Sequence, residues 1–141
     1  KAWVGRWLEN FKGRIFVCSG NHDVDGSAGV AWMRTPNIYA DGDIKTIEGI
    51  KFGCVPYMCT DILDFAECDV LLAHVPPAHT QTAVEHGRDF GDKELYRVLK
   101  HGLLKAKIIL CGHVHDPLSR VDKIGNCKIY NSSLGLNIIE I

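Results

Sequence analysis

Three groups of nitrogen- and oxygen-bearing side chains stand at the ends of short apolar runs. Asn21, His22 and Asp23 follow the run 15–18, His74 follows the run 70–73, and His113 and His115 follow the run 108–111. In layered α/β folds, functional sites collect at the carboxyl ends of strands. If each apolar run is a buried strand, the three groups are expected to meet at one place.

The chemistry of these residue types is that of a divalent metal site. His113 and His115 are two residues apart, and in an extended segment both rings face the same side. His74 adds a third imidazole and Asn21 adds a neutral oxygen. Imidazoles combined with amide or carboxylate oxygens suit Mn, Fe, Zn or Ni. We therefore predict Asn21, His74, His113 and His115 as metal ligands.

His22 and Asp23 suggest a different role from that of the ligands. A carboxylate beside an imidazole orients the ring and favours its protonated form. Such a group can stabilise charge developing on a phosphoryl group or protonate a leaving oxygen. His22 and Asp23 are therefore the candidate catalytic pair.

The elements that must position these side chains alternate between helix and strand. Helices are predicted over 2–12, 28–34 and 93–104, and Asp92 is the predicted N-cap of the last one. Strands are predicted over 15–18, 44–48, 50–55, 70–73, 108–111, 119–124, 127–131 and 136–141. The stretch 75–91 is predicted to be an irregular loop, because two prolines follow His74. This order predicts one α/β domain over 1–141, with a layered sheet core flanked by helices.

The segments "GNHD" at 20–23, "LLAHVPP" at 71–77 and "GHVH" at 112–115, in this order, resemble the calcineurin-like metallophosphoesterase superfamily, in its compact phosphodiesterase-like branch. The resemblance implies a layered α-β-β-α sandwich of two mixed sheets flanked by helices. In the family, an Asp-x-His motif and a Gly-Asp motif precede the GNHD motif, and neither occurs among the residues before Gly20, none of which is Asp. We therefore expect a partial domain that is incomplete at its N-terminus, and whether the 141-residue chain is active alone stays open.

The resemblance also implies roles for individual residues. Asn21, His74 and His113 would hold one divalent ion and His115 would help to hold a second, each being Mn, Fe, Zn or Ni. The two ions would activate a water for attack on a phosphodiester, while His22, supported by Asp23, would assist the leaving group. The alternative is a catalytically degenerate member that serves as a scaffold for protein–protein interaction. The presence of both His22 and Asp23 favours the enzyme.

Other features of the sequence limit the kinds of substrate and partner that we expect. The substrate is expected to be a small phosphoester or nucleotide-like molecule, with His79 as the candidate substrate-binding residue. A net charge of -1 argues against long nucleic acid, and no apolar run is long enough to cross a membrane. The 6 cysteines have no CxxC spacing and are predicted to be reduced core thiols of a cytoplasmic protein. Asn131 and Ser132 are expected to support the site or to form a turn.

Overall fold

The computed structural model describes residues 11–23 and 38–141. The helix predicted over 28–34 lies outside these residues, as does nearly all of the helix predicted over 2–12. The described strands are β1 (Ile15–Phe16), β2 (Ile38–Tyr39), β3 (Ile44–Ile47), β4 (Ile50–Cys54), β5 (Val70–Leu72), β6 (Val84–Glu85), β7 (Arg88–Asp89), β8 (Ile108–Cys111), β9 (Val121–Ile124) and β10 (Cys127–Asn131). The described helices are a 3-10 helix (Ile62–Phe65) and α1 (Lys93–Lys100).

A mixed 6-stranded sheet forms the centre of the described structure. Its strand order is β3-β4-β5-β8-β10-β9, in which β4, β5, β8 and β10 run parallel and the two edge strands are antiparallel. Strands of parallel sheets are usually buried on both faces, which favours continuous apolar runs such as β5 and β8. In β8, Ile109 and Cys111 are buried while Ile108 and Leu110 are half-buried. Leu71, Ile109 and Ile129 are completely buried at the centre of the sheet. These strands bring two of the predicted ligand groups to one edge of the sheet.

One face of this sheet packs against α1 and the 3-10 helix. Leu95, Val98 and Phe65 join the buried sheet residues in one apolar cluster. On another side, the ring of Phe16 stacks on Phe52 at 4.9 Å between ring centroids, and β1 pairs with β2 in a separate 2-stranded sheet. The α/β character of the prediction is confirmed. The full two-sheet sandwich with flanking helix layers stays a prediction.

Helix α1 begins as the sequence predicts but ends earlier. The Asp92 side chain accepts hydrogen bonds from the backbone N–H groups of Glu94 and Leu95, at 2.8 and 2.9 Å, and so acts as the N-cap. The helix was predicted to reach residue 104, and it ends at Lys100. Gly102 has a φ of +68°, a left-handed conformation that ends helices and favours glycine.

Two further predictions about secondary structure are wrong, and two predicted turns are confirmed. Residues 136–141 form no strand, and the segment 75–91 contains the hairpin β6–β7 instead of being irregular throughout. The hairpin β3–β4 turns at Glu48 and Gly49, both with positive φ, as the predicted turn at Gly49 requires. The hairpin β9–β10 turns where the Gly125-Asn126 pair predicted it.

Two expectations drawn from the sequence, on the cysteines and on membrane-spanning segments, can be compared with the structure. All 6 cysteines carry free thiols, and Cys54, Cys68, Cys111 and Cys127 are buried. Within residues 11–23 and 38–141, no helix has the length and apolar character needed to span a membrane.

Candidate metal centre and active site

The parallel pairing of β5 with β8 places two ligand groups side by side. Leu72 is in register with Leu110, so the chain leaves both strands at the same edge of the sheet. The pairing continues beyond the strands, because the Gly112 N–H donates to the His74 carbonyl at 3.0 Å. His74 and His113 are therefore brought together by the register of the sheet, as the sequence predicted.

Three side-chain atoms converge at this edge. His74 Nε2 lies 2.7 Å from Asn21 Oδ1 and 3.2 Å from His113 Nδ1, and the two imidazole rings have centroids 5.0 Å apart. Asn21 is 53 residues away from His74 in the chain, and His113 is 39 away. The structure therefore brings together three of the four predicted metal ligands.

The spacing of these three atoms fits a divalent ion. Two ligand atoms each about 2.1 Å from one ion, at an angle between 90° and 110°, are separated by about 3.0–3.4 Å. The nitrogen–nitrogen distance of 3.2 Å lies in this range, and the nitrogen–oxygen distance of 2.7 Å is slightly shorter. Two imidazoles and an amide oxygen are also a donor set that first-row divalent ions accept. The two separations and the donor types are therefore compatible with a shared divalent ion.

The electrostatics of the site keep both imidazoles in the form that binds metals. Burial lowers the pKa of His74 below its usual value, and the neighbouring His113 lowers it further, while the carboxylate of Asp23 acts in the opposite direction. Burial also lowers the pKa of His113, as does the nearby His115, while Glu85 opposes the shift. A lowered pKa leaves the imidazoles neutral near pH 7, and only the neutral ring has a free lone pair for a metal.

His113 does not have the extended backbone that was expected for the His-x-His pair. Its φ is +65°, and the Val114 N–H donates to the Gly112 carbonyl at 2.7 Å, which makes His113 the central residue of a γ-turn. The argument that both rings face one pocket because the segment is extended is therefore wrong. His113 reaches His74 because the chain turns sharply at this position.

His115 and His22 border the three converging atoms. Both are exposed, and both lie close enough to lower the pKa values of His74 and His113 electrostatically. His115 as a ligand of a second ion and His22 as the group near the leaving oxygen stay predictions. Their exposure leaves them accessible to a substrate at the open side of the site.

Asp23 closes the turn that carries Asn21 and His22. Its carboxylate oxygen Oδ2 accepts from the Gly20 N–H at 2.7 Å, and its own N–H donates to the Gly20 carbonyl at 3.1 Å. This side-chain-closed turn fixes the direction in which Asn21 and His22 leave the backbone. Support of the His22 ring by Asp23 stays a prediction.

Gly20 is required by the position of the His74 ring. A Cβ atom added at Gly20 would lie 2.6 Å from Cε1 and Nδ1 of His74 and 3.0 Å from its Nε2. Cβ atoms essentially never come this close to another heavy atom, so the His74 ring would have to move if residue 20 carried a side chain. The glycine of the GNHD segment therefore makes room for an imidazole from a distant strand end.

His79, the predicted substrate-binding residue, has partners of its own. Its backbone N–H donates to Asp89 Oδ2 at 2.8 Å, its Nδ1 lies 3.4 Å from the same oxygen, and its ring lies edge-on to that of Tyr96, with centroids 4.8 Å apart. These contacts place His79 against β7 and α1. Its role in substrate binding stays a prediction.

Two residues beside the site were missed by the sequence analysis. Glu85 accepts a hydrogen bond from the Asp116 N–H at 2.6 Å and lies near enough to His113 to affect its pKa. The available signal was the His86-Gly87 pair, which forms a two-residue turn with positive φ at both positions and places Glu85 in a hairpin. Tyr57 lies edge-on to His74, with ring centroids 5.6 Å apart, and no sequence pattern indicated this contact.

Two further aspartates, Asp41 and Asp43, accept hydrogen bonds from backbone N–H groups. Asp41 accepts from the Ser19 N–H at 2.7 Å, and Asp43 accepts from the Ala40 N–H at 2.8 Å. In the described part of the chain, no three side chains of His, Cys, Asp or Glu are grouped so that they could hold a metal. The candidate centre accordingly consists of two imidazoles and the amide of Asn21.

Comparison with known proteins agrees with the motifs and the geometry. The family model of the calcineurin-like phosphoesterases matches residues 1–117, which include Asn21, His74, His113 and His115. No curated protein sequence matches the chain. The chain belongs to the calcineurin-like phosphoesterase family, whose members carry out metal-dependent hydrolysis of phosphoesters.

Proposed function

We propose that this protein is a phosphodiesterase that uses two divalent ions, with Asn21, His74 and His113 as ligands of one and His115 as a ligand of the other. The observation that carries the proposal is the convergence of Asn21 Oδ1, His74 Nε2 and His113 Nδ1, with separations of 2.7 and 3.2 Å. Bound ions of this kind supply Lewis acidity toward the phosphoryl oxygens and the attacking water.

The residues of the chain have separate tasks in this proposal. Neutral His74 and His113 present lone pairs, because burial disfavours their protonated forms. His22 is exposed beside them and donates a proton to the departing oxygen of the ester. Asp23 holds the turn that carries Asn21 and His22 through its bond to the Gly20 N–H.

The proposed substrate is a small phosphodiester or nucleotide-like molecule. Asn21, His22 and His115 are all exposed, so the site opens to solvent and does not enclose its ligand. The net charge of -1 provides no general attraction for a long polyanion, which leaves recognition to the bound cations. The free thiols of the 6 cysteines support a cytoplasmic location.

The test combines metal binding with turnover. Calorimetric titration with Mn²⁺ is expected to show binding that His113→Ala weakens at least about tenfold, because a ligand is lost. The matched control is His101→Ala, since His101 lies at the C-terminal end of α1, where its ring contacts the Arg97 carbonyl. Hydrolysis of bis(p-nitrophenyl) phosphate is then compared with that of p-nitrophenyl phosphate, and the diester is expected to react faster.

Three results would contradict the proposal in different ways. Equal Mn²⁺ binding by the His113 and His101 variants would remove His113 from the metal site. Faster hydrolysis of the monoester would contradict the diesterase assignment. Metal binding without hydrolysis of either ester would favour the non-catalytic scaffold.

A further inference from the structure

The backbone around His113 is held in an unfavourable conformation. A γ-turn with positive φ at its central residue is rare and strained, and His113 is a non-glycine residue with a φ of +65°. Such a conformation persists only where the surrounding structure fixes it. Val114, the next residue, is almost fully buried, with 2% of its surface exposed, so the contacts that fix the turn lie beneath it.

The side chain of Asn131 makes hydrogen bonds to the backbone beside this turn. Its Nδ2 donates to the Val114 carbonyl at 2.9 Å and to the Thr82 carbonyl at 3.0 Å, and its Oδ1 accepts from the Ser133 N–H at 2.8 Å. Two partners can only accept and the third can only donate, so the orientation of the amide is fixed by its surroundings. Asn131 is fully buried and uses both of its donor protons.

The backbone of Val114 is thereby hydrogen-bonded at both its N–H and its carbonyl. The Val114 N–H is bonded to the Gly112 carbonyl, and the Val114 carbonyl is bonded to Asn131. The register of the sheet supports this arrangement, because Asn131 at the end of β10 pairs with Cys111 at the end of β8. Asn131 thus connects the sheet, the segment that precedes β6 and the strained turn.

We infer that Asn131 is a positioning residue for the metal centre: it holds His113 in the γ-turn that brings His113 Nδ1 to His74. This inference rests on the proposed function, because it assigns His113 as a ligand. The Asn131 amide is bonded to backbone groups, so Asn131 would not itself be a ligand, and it acts through the Val114 carbonyl. Its loss should therefore change the geometry of the site as well as the stability of the fold.

The experiment uses Asn131→Asp in the full chain. Aspartate has the same shape and keeps an oxygen for the Ser133 N–H, but it cannot donate to the carbonyls of both Val114 and Thr82, because a carboxylate has no donor proton and a protonated carboxyl has only one. The matched control is Thr82→Val. Thr82 is as fully buried as Asn131, and its hydroxyl is hydrogen-bonded to the Thr80 hydroxyl, at 2.7 Å. If Asn131→Asp does not fold, Asn131→Ser takes its place.

Two measurements are made on each variant. Titration with Co²⁺ is followed by its visible absorption, which reports both the dissociation constant and the coordination geometry. Loss of a residue that orients a ligand is expected to raise the dissociation constant about 10–100-fold and to change the spectrum. Thr82→Val is expected to lower Tm while leaving the spectrum unchanged. Independently of metal, an NMR cross-peak between the rings of His74 and His113 is expected in the wild type and not in the Asn131 variant.

The outcomes separate this inference from the proposed function. If the wild type does not bind Co²⁺, the proposed metal site fails, and the cross-peak alone decides whether Asn131 positions His113. If Asn131→Asp keeps the wild-type spectrum, affinity and cross-peak while losing as much Tm as Thr82→Val, Asn131 has a purely structural role and the inference is overturned.

Discussion

The imidazole of His74 lies directly against the backbone of Gly20, so closely that a Cβ atom at Gly20 would be 2.6 Å from the ring. The two residues come from different strand ends and are joined through the Asn21 side chain, which lies 2.7 Å from His74 Nε2. The absence of a side chain at Gly20 therefore leaves room for the His74 ring beside Asn21.

Gly20→Ala is expected to weaken metal binding although every ligand is kept. The added methyl group displaces the His74 ring, and a misplaced ligand is expected to cost about 10–100-fold in affinity. Gly135→Ala is the matched control, because its Cβ would meet its nearest atom, on Arg120, at an ordinary 3.6 Å. Calorimetry with Mn²⁺ checks the result, and equal affinity for both variants would show that the site tolerates movement of His74.

His22→Ala is expected to reduce turnover while leaving metal binding intact. His22 is exposed next to the site, and loss of a general acid lowers kcat by about 10²–10⁴-fold. Hydrolysis of a phosphodiester with an alkyl leaving group, whose oxygen needs protonation, gives kcat, and calorimetry gives the metal affinity of the same sample. The loss should be smaller for bis(p-nitrophenyl) phosphate, whose leaving group needs less protonation. Unchanged kcat would exclude His22 from the mechanism.

The buried thiols are expected to make the protein less stable at alkaline pH. Burial raises the pKa of Cys54 to about 12 and that of Cys127 to about 11. Above about pH 8.5, unfolded thiols lose their protons while the native ones keep theirs, so the unfolded state binds fewer protons. The free energy of unfolding therefore falls as pH rises from about 8.5 toward 11.

Urea unfolding between pH 7 and pH 10 measures this dependence. Lysine and tyrosine side chains also titrate in this range, so the comparison is with Cys127→Ala, whose stability should fall less steeply with pH. A thiol reagent at pH 8 should also label native Cys127 much more slowly than unfolded Cys127, since almost none of the native thiol is in its reactive thiolate form. Parallel pH slopes for the two proteins would contradict the assignment.

Removal of the N-cap of α1 is expected to destabilise the fold. Asp92 accepts from the backbone N–H groups of Glu94 and Leu95, and replacing such a residue by alanine costs about 0.5–2 kcal/mol. Asp92→Asn should keep most of the stability, because an amide oxygen also caps. Asp61→Ala is a control, since Asp61 begins the 3-10 helix without a side-chain cap bond. Urea denaturation compares the three, and equal losses for Asp92→Ala and Asp61→Ala would rule out capping as the cause.

Much of the fold could be predicted because its signals are local. The apolar run before His74, the turn at Gly49 and the cap at Asp92 each depend on residues within a few positions of one another. The early end of α1 and the β6–β7 hairpin were missed because Gly102 and the His86-Gly87 pair act through backbone conformation, which apolar periodicity does not report. The strand predicted over 136–141 does not form, and an apolar pattern alone does not show whether a neighbouring strand is available to pair with it.

The sequence by itself determined which chemistry is available: four imidazoles, an amide and a carboxylate stand after short apolar runs, and three motifs identify the family. The tertiary structure decided how those groups meet. It placed His113 in a γ-turn instead of a strand, fitted the His74 ring against Gly20 and anchored Val114 on Asn131. Each of these contacts joins residues that lie far apart in the chain or depends on a positive φ. Only the parallel register of the sheet, together with close packing at its edge, brings such groups into contact.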